Sequence, residues 1–180
     1  GPVQIYTWDS GLTLNDFFLH TNDQEHELCG GKVGAALAQI KTITGEQSEL
    51  DHFSYCKLAL EAENLKSHIS EKMIDSANRL LDKHKIEISS FSDEAMFCHG
   101  DFSSKNIIVR EIHGTWEVAA IVDWEDSFFG SQHYDIANHL RHSEDFPAGY
   151  IDGFTKGYRL AGGELSPGWQ KKNALADLPS

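Results

Sequence analysis

The sequence predicts an α+β domain that is mostly helical and contains one β-hairpin. Apolar residues recur at helical spacing through much of the chain before residue 96 and again after Tyr134. Between these parts lie two strand-like segments, 106–110 and 116–122, joined around His113-Gly114. We therefore expect helices on both sides of a central hairpin.

The part before residue 96 predicts an extended segment followed by four helices. Val3–Trp8 is β-branched and aromatic, and the patterns Thr13–Asp16 and Asn22–Glu25 predict the starts of a short and a long helix. Two further helices are expected over about 51–65 and 70–83. Their apolar stripes are interpreted as core: Leu28, Ala35, Ala36, Leu37 and Ile40 in the long helix, and Met73, Ile74, Ala77, Leu80 and Leu81 in the last.

The later part of the chain opens with a short apolar run, Met96-Phe97-Cys98, that leads into a polar loop and the hairpin. Helical patterning returns over 134–142 and over 147–160, with Pro147 expected in the first turn of the second helix. The tail from Ser166 to Ser180 has little periodicity and is interpreted as a helix cut short.

Composition limits the classes of partner. The 180 residues carry a formal net charge of −13, which repels phosphate backbones and anionic lipid, so neither nucleic acid nor membrane is expected as a partner. No stretch approaches the length of a membrane span. The three cysteines are scattered and form no CxxC pair, a pattern typical of a soluble protein in the reducing cytoplasm.

Three polar residues flank the hairpin. Asp101 precedes the first strand, Asn106 begins it, and Asp123 follows the second. Because antiparallel pairing makes the start of one strand the neighbour of the end of the next, Asn106 and Asp123 are expected to lie close together. Carboxylate and amide oxygens suit Mg²⁺, which leaves Asp101 to accept a proton from an attacking hydroxyl.

The spacing of these residues favours phosphoryl transfer. His99-Gly100-Asp101 followed by Asn106 reproduces the H-x-D-x-x-x-x-N arrangement of kinase catalytic loops. Asp123-Trp124-Glu125 takes the place of the kinase D-F-G aspartate segment. The sequence thus predicts a catalytic loop and hairpin over about 96–126.

The motifs HGDFSSKN (99–106), IVDWED (121–126) and YDIANHLR (134–141) resemble those of the aminoglycoside phosphotransferase and choline kinase superfamily. The opening IYTWDSGLTL (5–14) is similar to the hinge and first helix that enter the larger lobe in that superfamily. The resemblance spans nearly the whole chain. It implies the C-terminal lobe of a protein-kinase-like fold over 1–180, with hinge and first helix at about 3–20 and C-terminal helices at about 134–180.

The resemblance also assigns roles to individual residues. Asp101 becomes the catalytic base, and Asn106 and Asp123 become metal ligands. Glu125 is the candidate ligand for a second metal ion. His99 and Asp135 are expected to support the catalytic loop, Asp135 through bonds to its backbone. The residues that bind the nucleotide are not assigned.

The nucleotide-covering part of a kinase has no counterpart in the sequence. Gly30-Gly31-Lys32 lies within a helical pattern without a preceding strand, and no other glycine-rich loop or strand lysine is evident. The chain also begins Gly1-Pro2 rather than with methionine. We therefore expect the smaller N-terminal lobe to be absent from this chain, and the isolated chain to be a poor kinase.

The implied activity is transfer of the γ-phosphate of ATP or GTP, with Mg²⁺, to a small-molecule hydroxyl. A cationic aminoglycoside-type acceptor fits the acidity, while choline, amino-sugar, homoserine-type and glycated-amine acceptors stay open. Two other hypotheses remain: a kinase-like binding or regulatory module without turnover, and a metal-dependent hydrolase that uses the same carboxylates.

Overall fold

The computed structural model describes residues 10–46 and 52–178, apart from the side chains of residues 64 and 92. The expected extended segment Val3–Trp8, and with it the start of the expected hinge, lies outside these residues. The described helices are α1 (Leu14–His20), α2 (Asp23–Ile40), α3 (His52–Glu61), α4 (Glu63–Lys66), α5 (Glu71–Lys83), α6 (Lys85–Ser89), α7 (His133–Leu140), α8 (Tyr150–Leu160) and α9 (Trp169–Ala176), with 3₁₀ turns at Ser90–Asp93 and Ser143–Asp145. The strands are β1 (Leu12–Thr13), β2 (Met96–Cys98), β3 (Ile107–Ile112), β4 (Thr115–Ile121) and β5 (Phe128–Gly130).

The chain divides into two compact units. The first contains the chain up to Gln39, together with Asp101–Glu125 and His142–Leu165. The second contains Ile40–Gly100, Asp126–Arg141 and the chain from Ser166 onward. No helix in the described ranges is long and apolar enough to cross a membrane.

Local capping sets the starts of the first helices in the first unit. The Thr13 hydroxyl accepts a hydrogen bond from the Asp16 amide at the start of α1 (3.1 Å). Before α2, Asn22 Oδ1 accepts from the Glu25 amide (3.2 Å), and Glu25 Oε2 accepts in return from the Asn22 amide (3.1 Å). This reciprocal pair satisfies amides that have no partner inside the helix, which is why α2 begins here.

The predicted hairpin is formed by β3 and β4. Its two-residue turn places His113 at φ 53° and Gly114 at φ 78°, the combination of left-handed residues that matches the twist of a tight hairpin. Ile107 pairs with Ile121 at the far end, and β1 adds a third antiparallel strand through Leu12 and Val109. The turn sets the register from Ile112 to Val109, and a β-bulge between Val109 and Ile108 then shifts it by one residue, which gives the Ile107–Ile121 pair at the far end.

Close packing of α2 on α8 sets the buried face of α2. A Cβ atom on Gly34 would lie 2.1 Å from the Phe154 carbonyl oxygen, so only glycine allows this approach. The face that packs therefore includes Cys29 and Val33, both 0% exposed. The prediction that Leu28 belongs to the core is wrong, because this residue is 59% exposed and lines an open groove beside α8.

The helix predicted from Pro147 begins later than expected. Gly149 has φ 80° and precedes α8, which starts at Tyr150. Because the left-handed glycine interrupts the helix, Pro147 lies in a turn before α8, where its carbonyl accepts from the Tyr150 amide (3.3 Å).

The apolar core of the first unit comprises Leu14, Phe17, Cys29, Val33, Leu37, Ala38, Phe102, Ile107, Val109, Tyr150, Phe154 and Tyr158.

The second unit packs its helices beside a two-stranded antiparallel sheet of β2 and β5, in which Phe97 pairs with Phe129. Its core cluster comprises Cys56, Leu81, Ile88, Phe91, Ala137, Leu175 and Ala176. The helix expected over 51–65 is divided into α3 and α4 at Ala62. In α5 the prediction of core positions is wrong for Met73 and Leu80, which are 59% and 39% exposed, while Leu81 is buried as expected.

Candidate active site

The hairpin brings the backbones of Asn106 and Asp123 to the same end of the first unit. Asn106 directly precedes β3, and its carbonyl accepts a hydrogen bond from the Val122 amide (3.0 Å). This bond continues the ladder one step beyond the pair Ile107–Ile121. Asp123 follows Val122 in the chain, so the antiparallel register places it one residue beyond the partner of Asn106.

Asp123 has an unusual backbone conformation. Its φ of 69° lies in the left-handed region, which residues other than glycine rarely adopt. The Trp124 indole donates to the Ile121 carbonyl (2.7 Å) across this turn. The residue predicted to bind metal therefore has a strained backbone, and such conformations cluster at functional sites. Asp123 and Glu125 are both exposed.

Asp101 is held by two residues of the loop that follows it. Asn106 Nδ2 donates to the Asp101 carbonyl oxygen and to its carboxylate Oδ2, both at 2.9 Å. The Lys105 ammonium also lies 3.0 Å from Oδ2. A turn with Ser103 between them, in which the Asn106 amide donates to the Ser103 carbonyl (3.0 Å), closes the loop. The loop thus orients the Asp101 carboxylate through its own side chains.

These contacts keep Asp101 ionised. Partial burial raises the pKa of the Asp101 carboxyl, but the hydrogen bond and charge of Lys105, together with the bond from Asn106, outweigh it. The pKa of Asp101 is therefore lowered overall, and at neutral pH this carboxylate is an acceptor for a proton.

The donor set at this end fits a magnesium ion. Both partners of Asn106 Nδ2 are acceptors, so the side-chain amide must present its nitrogen to Asp101. Its oxygen, Oδ1, then remains available as a ligand for a metal ion. The carboxylate of Asp123 is the second hard oxygen donor. Across the described ranges, no three His, Cys, Asp or Glu side chains cluster as a metal cage. Mg²⁺ needs no such cage, because it is bound through one or two carboxylates plus phosphates and water.

The second unit contains the residues that lead into Asp101. Asp135 is fully buried, and its two carboxylate oxygens accept from the His99 amide (2.8 Å) and the Gly100 amide (3.0 Å). Gly100 has φ 87°, and a Cβ atom there would lie 2.3 Å from the Asp126 carbonyl oxygen. Only glycine fits, and the next residue in the chain is Asp101.

Lys41 is a buried residue of this network that the sequence patterns did not indicate. Its ammonium lies 2.6 Å from Asp135 Oδ2, and it also donates to the Phe97 carbonyl (3.0 Å) and contacts Cys98 Sγ (3.2 Å). Lys41 follows α2 directly, and in the sequence it reads as a surface lysine at a helix end. The two members of the pair are 94 positions apart, and no local signal links them.

A sequence model of the phosphotransferase enzyme family (APH) matches residues 1–174. The chain belongs to the phosphotransferase enzyme family. A curated relative, choline kinase B1 of Caenorhabditis elegans, is 32% identical over 71 residues, which are 39% of this chain and 18% of the relative.

Solved structures of related proteins share the fold of this family member. Aminoglycoside phosphotransferase APH(3'')-Id from Streptomyces rimosus, in complex with ADP and streptomycin, matches with a TM-score of 0.64 and 12% identity, covering 94% of this chain and 67% of that one. A macrolide 2'-phosphotransferase from Brachybacterium faecium gives 0.60 and 13%, covering 87% and 52%. A choline/ethanolamine kinase family protein from Mesorhizobium loti gives 0.63 and 16%, covering 88% and 54%.

These likenesses confirm the expected α+β, kinase-like fold of the phosphotransferase family and the resemblance on which it was based. The chain spans 52% of the Brachybacterium structure and 18% of the curated choline kinase, so each of these proteins is longer than the part it shares with this chain.

Proposed function

We propose that this chain is the lobe of a small-molecule phosphotransferase that binds the metal and receives the acceptor hydroxyl. The full enzyme transfers the γ-phosphate of ATP or GTP to that hydroxyl. The observation that carries this proposal is the position of Asn106 between the two carboxylates. Its backbone pairs with the residue before Asp123, and its side-chain nitrogen donates to Asp101. The chain that contains this arrangement belongs to the phosphotransferase enzyme family.

Asp101 acts as the base in this proposal. Its carboxylate is already ionised and is oriented by Lys105 and Asn106. A positioned base accepts the hydroxyl proton as the acceptor oxygen attacks phosphorus. The acceptor must therefore approach with its hydroxyl against this carboxylate.

Asn106 and Asp123 would hold Mg²⁺, and Glu125 is the proposed ligand of a second ion. The chemistry supplied by a bound metal is neutralisation of phosphate charge and orientation of the nucleotide. Asn106 then has two tasks, because its nitrogen orients the base while its oxygen contributes to the metal site.

His99 and Asp135 support the loop. The Asp135 carboxylate accepts from the two backbone amides directly before Asp101, and this fixes the chain where the base begins. His99 is fully buried at the same point. We assign both residues to positioning rather than to contact with substrate.

The acceptor that we favour is a cationic aminoglycoside-type compound. The net charge of −13 attracts cations, and the Streptomyces relative was solved with streptomycin and ADP. A choline-type acceptor is also cationic, and the choline kinase relative keeps this alternative open.

The choice between ATP and GTP as phosphate donor stays open. The three cysteines are buried and form no disulfide, which fits the cytoplasm, where either nucleotide is available.

The parts that cover the nucleotide phosphates lie outside this chain in our proposal, since no glycine-rich loop with a strand lysine occurs in its sequence. The isolated chain is then a poor kinase. A kinase-like module without turnover, the alternative hypothesis, would lack activity in the longer protein as well.

The direct test incubates the full-length protein with Mg-ATP or Mg-GTP and a panel of aminoglycosides, choline, ethanolamine and amino sugars. Mass spectrometry should detect an acceptor heavier by one phosphoryl group, and the D101N variant should not form it. A full-length protein that binds Mg-nucleotide but phosphorylates nothing in the panel would favour the binding module. Nucleotide-independent cleavage of a substrate would favour the hydrolase.

A further inference from the structure

Lys105 is placed between the proposed base and the proposed metal ligands. Its ammonium lies 3.0 Å from Asp101 Oδ2, and the next residue in the chain is Asn106. From His99 to Asn106 it is the only lysine or arginine in the sequence. Its side chain is 63% exposed, so the ammonium remains accessible to a ligand.

Two carboxylates act on this ammonium. Asp101 Oδ2 lies 3.0 Å from the ammonium, and the charge of Asp123 also attracts it. A lysine ammonium is a cation at neutral pH, and this one lies at a hairpin end that otherwise carries Asp101, Asp123 and Glu125. A cation in this position offsets the repulsion that these three carboxylates would exert on a phosphate group.

We infer that Lys105 is a catalytic residue that binds the phosphoryl group during its transfer. The inference rests on the proposed function. In the reaction, the bond between the acceptor oxygen and phosphorus forms, the bond between phosphorus and the nucleoside diphosphate breaks, and the hydroxyl proton passes to Asp101. The acceptor hydroxyl oxygen faces the Asp101 carboxylate, and the phosphorus that it attacks is one forming bond away from this oxygen. The Lys105 ammonium lies 3.0 Å from the same carboxylate, so it is within reach of the phosphoryl oxygens.

The charge on Lys105 would stabilise the transition state in particular. Negative charge spreads over the oxygens of the transferred group as it leaves the nucleotide, and fixed cations aimed at that charge lower the barrier. The affinity for nucleoside diphosphate, which lacks the transferred group, should not depend on this contact. Lys105 is thereby distinguished from a residue that merely binds nucleotide.

A surface ion pair without function is the competing explanation, and the chain contains a matched control. Lys32 pairs with Glu117 at 2.6 Å, with side chains 44% and 35% exposed. This pair belongs to the same unit and also joins a lysine to a carboxylate of the hairpin segment. Exposed pairs of this kind contribute little to stability, so K105M and K32M should both fold.

The experiment compares K105M, K105R and K32M with D101N and D123N in the full-length protein. The measurements are the rate of Mg-ATP and Mg-GTP hydrolysis by water, the affinity for Mg-ADP, and the affinity for Mg-ADP with aluminium fluoride, which imitates the group in transfer. Melting temperatures confirm that each variant is folded.

For K105M we expect hydrolysis to slow by about 10²-fold. The affinity for Mg-ADP with aluminium fluoride should fall by a similar factor, while the affinity for Mg-ADP alone stays within about twofold of the wild-type value. K105R should recover part of both losses, because it keeps the positive charge. K32M should behave as the wild type.

Wild-type rate and wild-type affinity for the fluoride complex in K105M would overturn the inference. If D101N and D123N were still impaired in that case, the proposed function would stand and Lys105 would be a surface ion pair. If D101N and D123N also kept wild-type activity, or if the wild type bound no fluoride complex, the proposed function would fail and the inference with it.

Discussion

Lys41 and Asp135 form a buried ion pair, with 2.6 Å between the ammonium nitrogen and Oδ2 and only 4% and 0% of the two side chains exposed. The same Oδ2 atom accepts the His99 amide (2.8 Å), and Oδ1 accepts the Gly100 amide (3.0 Å). Lys41 thus neutralises the charge of the buried carboxylate, and two backbone amides satisfy its oxygens. Together these contacts compensate the cost of removing Asp135 from water.

Replacing Lys41 by Met should destabilise the chain strongly. The substitution leaves the Asp135 charge buried without its cation, and such changes cost about 3–5 kcal/mol. Urea denaturation of the wild type and K41M measures the loss. The control is K171M, which removes the exposed pair of Lys171 with Glu87 and should change stability by about 1 kcal/mol or less.

The double variant K41M/D135N separates the charge from the packing. Because the unpaired charge is removed, it should be more stable than K41M alone. If K41M unfolded at the same urea concentration as K171M, the pair would have no structural importance and our interpretation of Asp135 would be wrong.

Replacing Gly100 by Ala should be more harmful than the same change at Gly114. Both glycines have positive φ, 87° and 78°, so each alanine incurs a backbone penalty of about 1–2 kcal/mol. Only at Gly100 would the new Cβ also meet a backbone oxygen, that of Asp126 at 2.3 Å. At Gly114 nothing described lies within 4 Å.

We expect G100A to lose about 1–3 kcal/mol more than G114A because overpacking adds to the backbone strain. The full-length G100A variant should also lose phosphotransfer, since the shifted residue is bonded to Asp101. Equal denaturation midpoints for the two variants would contradict the close approach of Gly100 to Asp126.

The cysteines should be unreactive in the native chain. Burial is the main cause that raises the pKa of Cys29 and of Cys98 from 9.0 to about 12, with the charges of Glu117 and Asp135 respectively adding to it. At pH 8 almost no thiolate is present at either residue, and thiolate is the reactive form. Iodoacetamide should therefore leave both residues unmodified until urea is added, as judged by mass spectrometry.

The raised pKa values of these two thiols also predict how the stability of the folded chain depends on pH. Since the folded pKa is above the unfolded one, the protonated thiols favour the native state, and stability should fall as pH rises from 9.0 toward about 12. Rapid alkylation of Cys98 at pH 8 in the folded chain would contradict its burial.

Local features of the structure could be predicted from the sequence. The caps at Thr13 and Asn22 depend on residues three positions apart, and each of the two helices begins where its cap indicated. The hairpin followed from strand-like segments around His113-Gly114. These signals are visible because the interacting residues are close in the chain.

Features that depend on distant residues could not be predicted in this way. The buried face of α2 is set by contact with α8 at Gly34, so the stripe that includes Leu28 was misleading. Lys41 is buried against Asp135 of α7 and the Phe97 carbonyl of β2, both far from it in the chain. For the same reason the pairing of β2 with β5 was missed, since the two strands are separated by the hairpin.

The central claim is the division of labour between Asp101 and Asp123, and steady-state kinetics of D101N and D123A in the full-length protein test it most directly. Titrations in acceptor and in Mg-nucleotide should show that D101N lowers kcat by about 10²–10⁴ with little change in nucleotide affinity, because only the base is lost. D123A should weaken nucleotide binding and raise the Mg²⁺ requirement, since it removes a carboxylate that holds the metal against the phosphates. A near-wild-type kcat for D101N, or the same kinetic profile for both variants, would contradict the account.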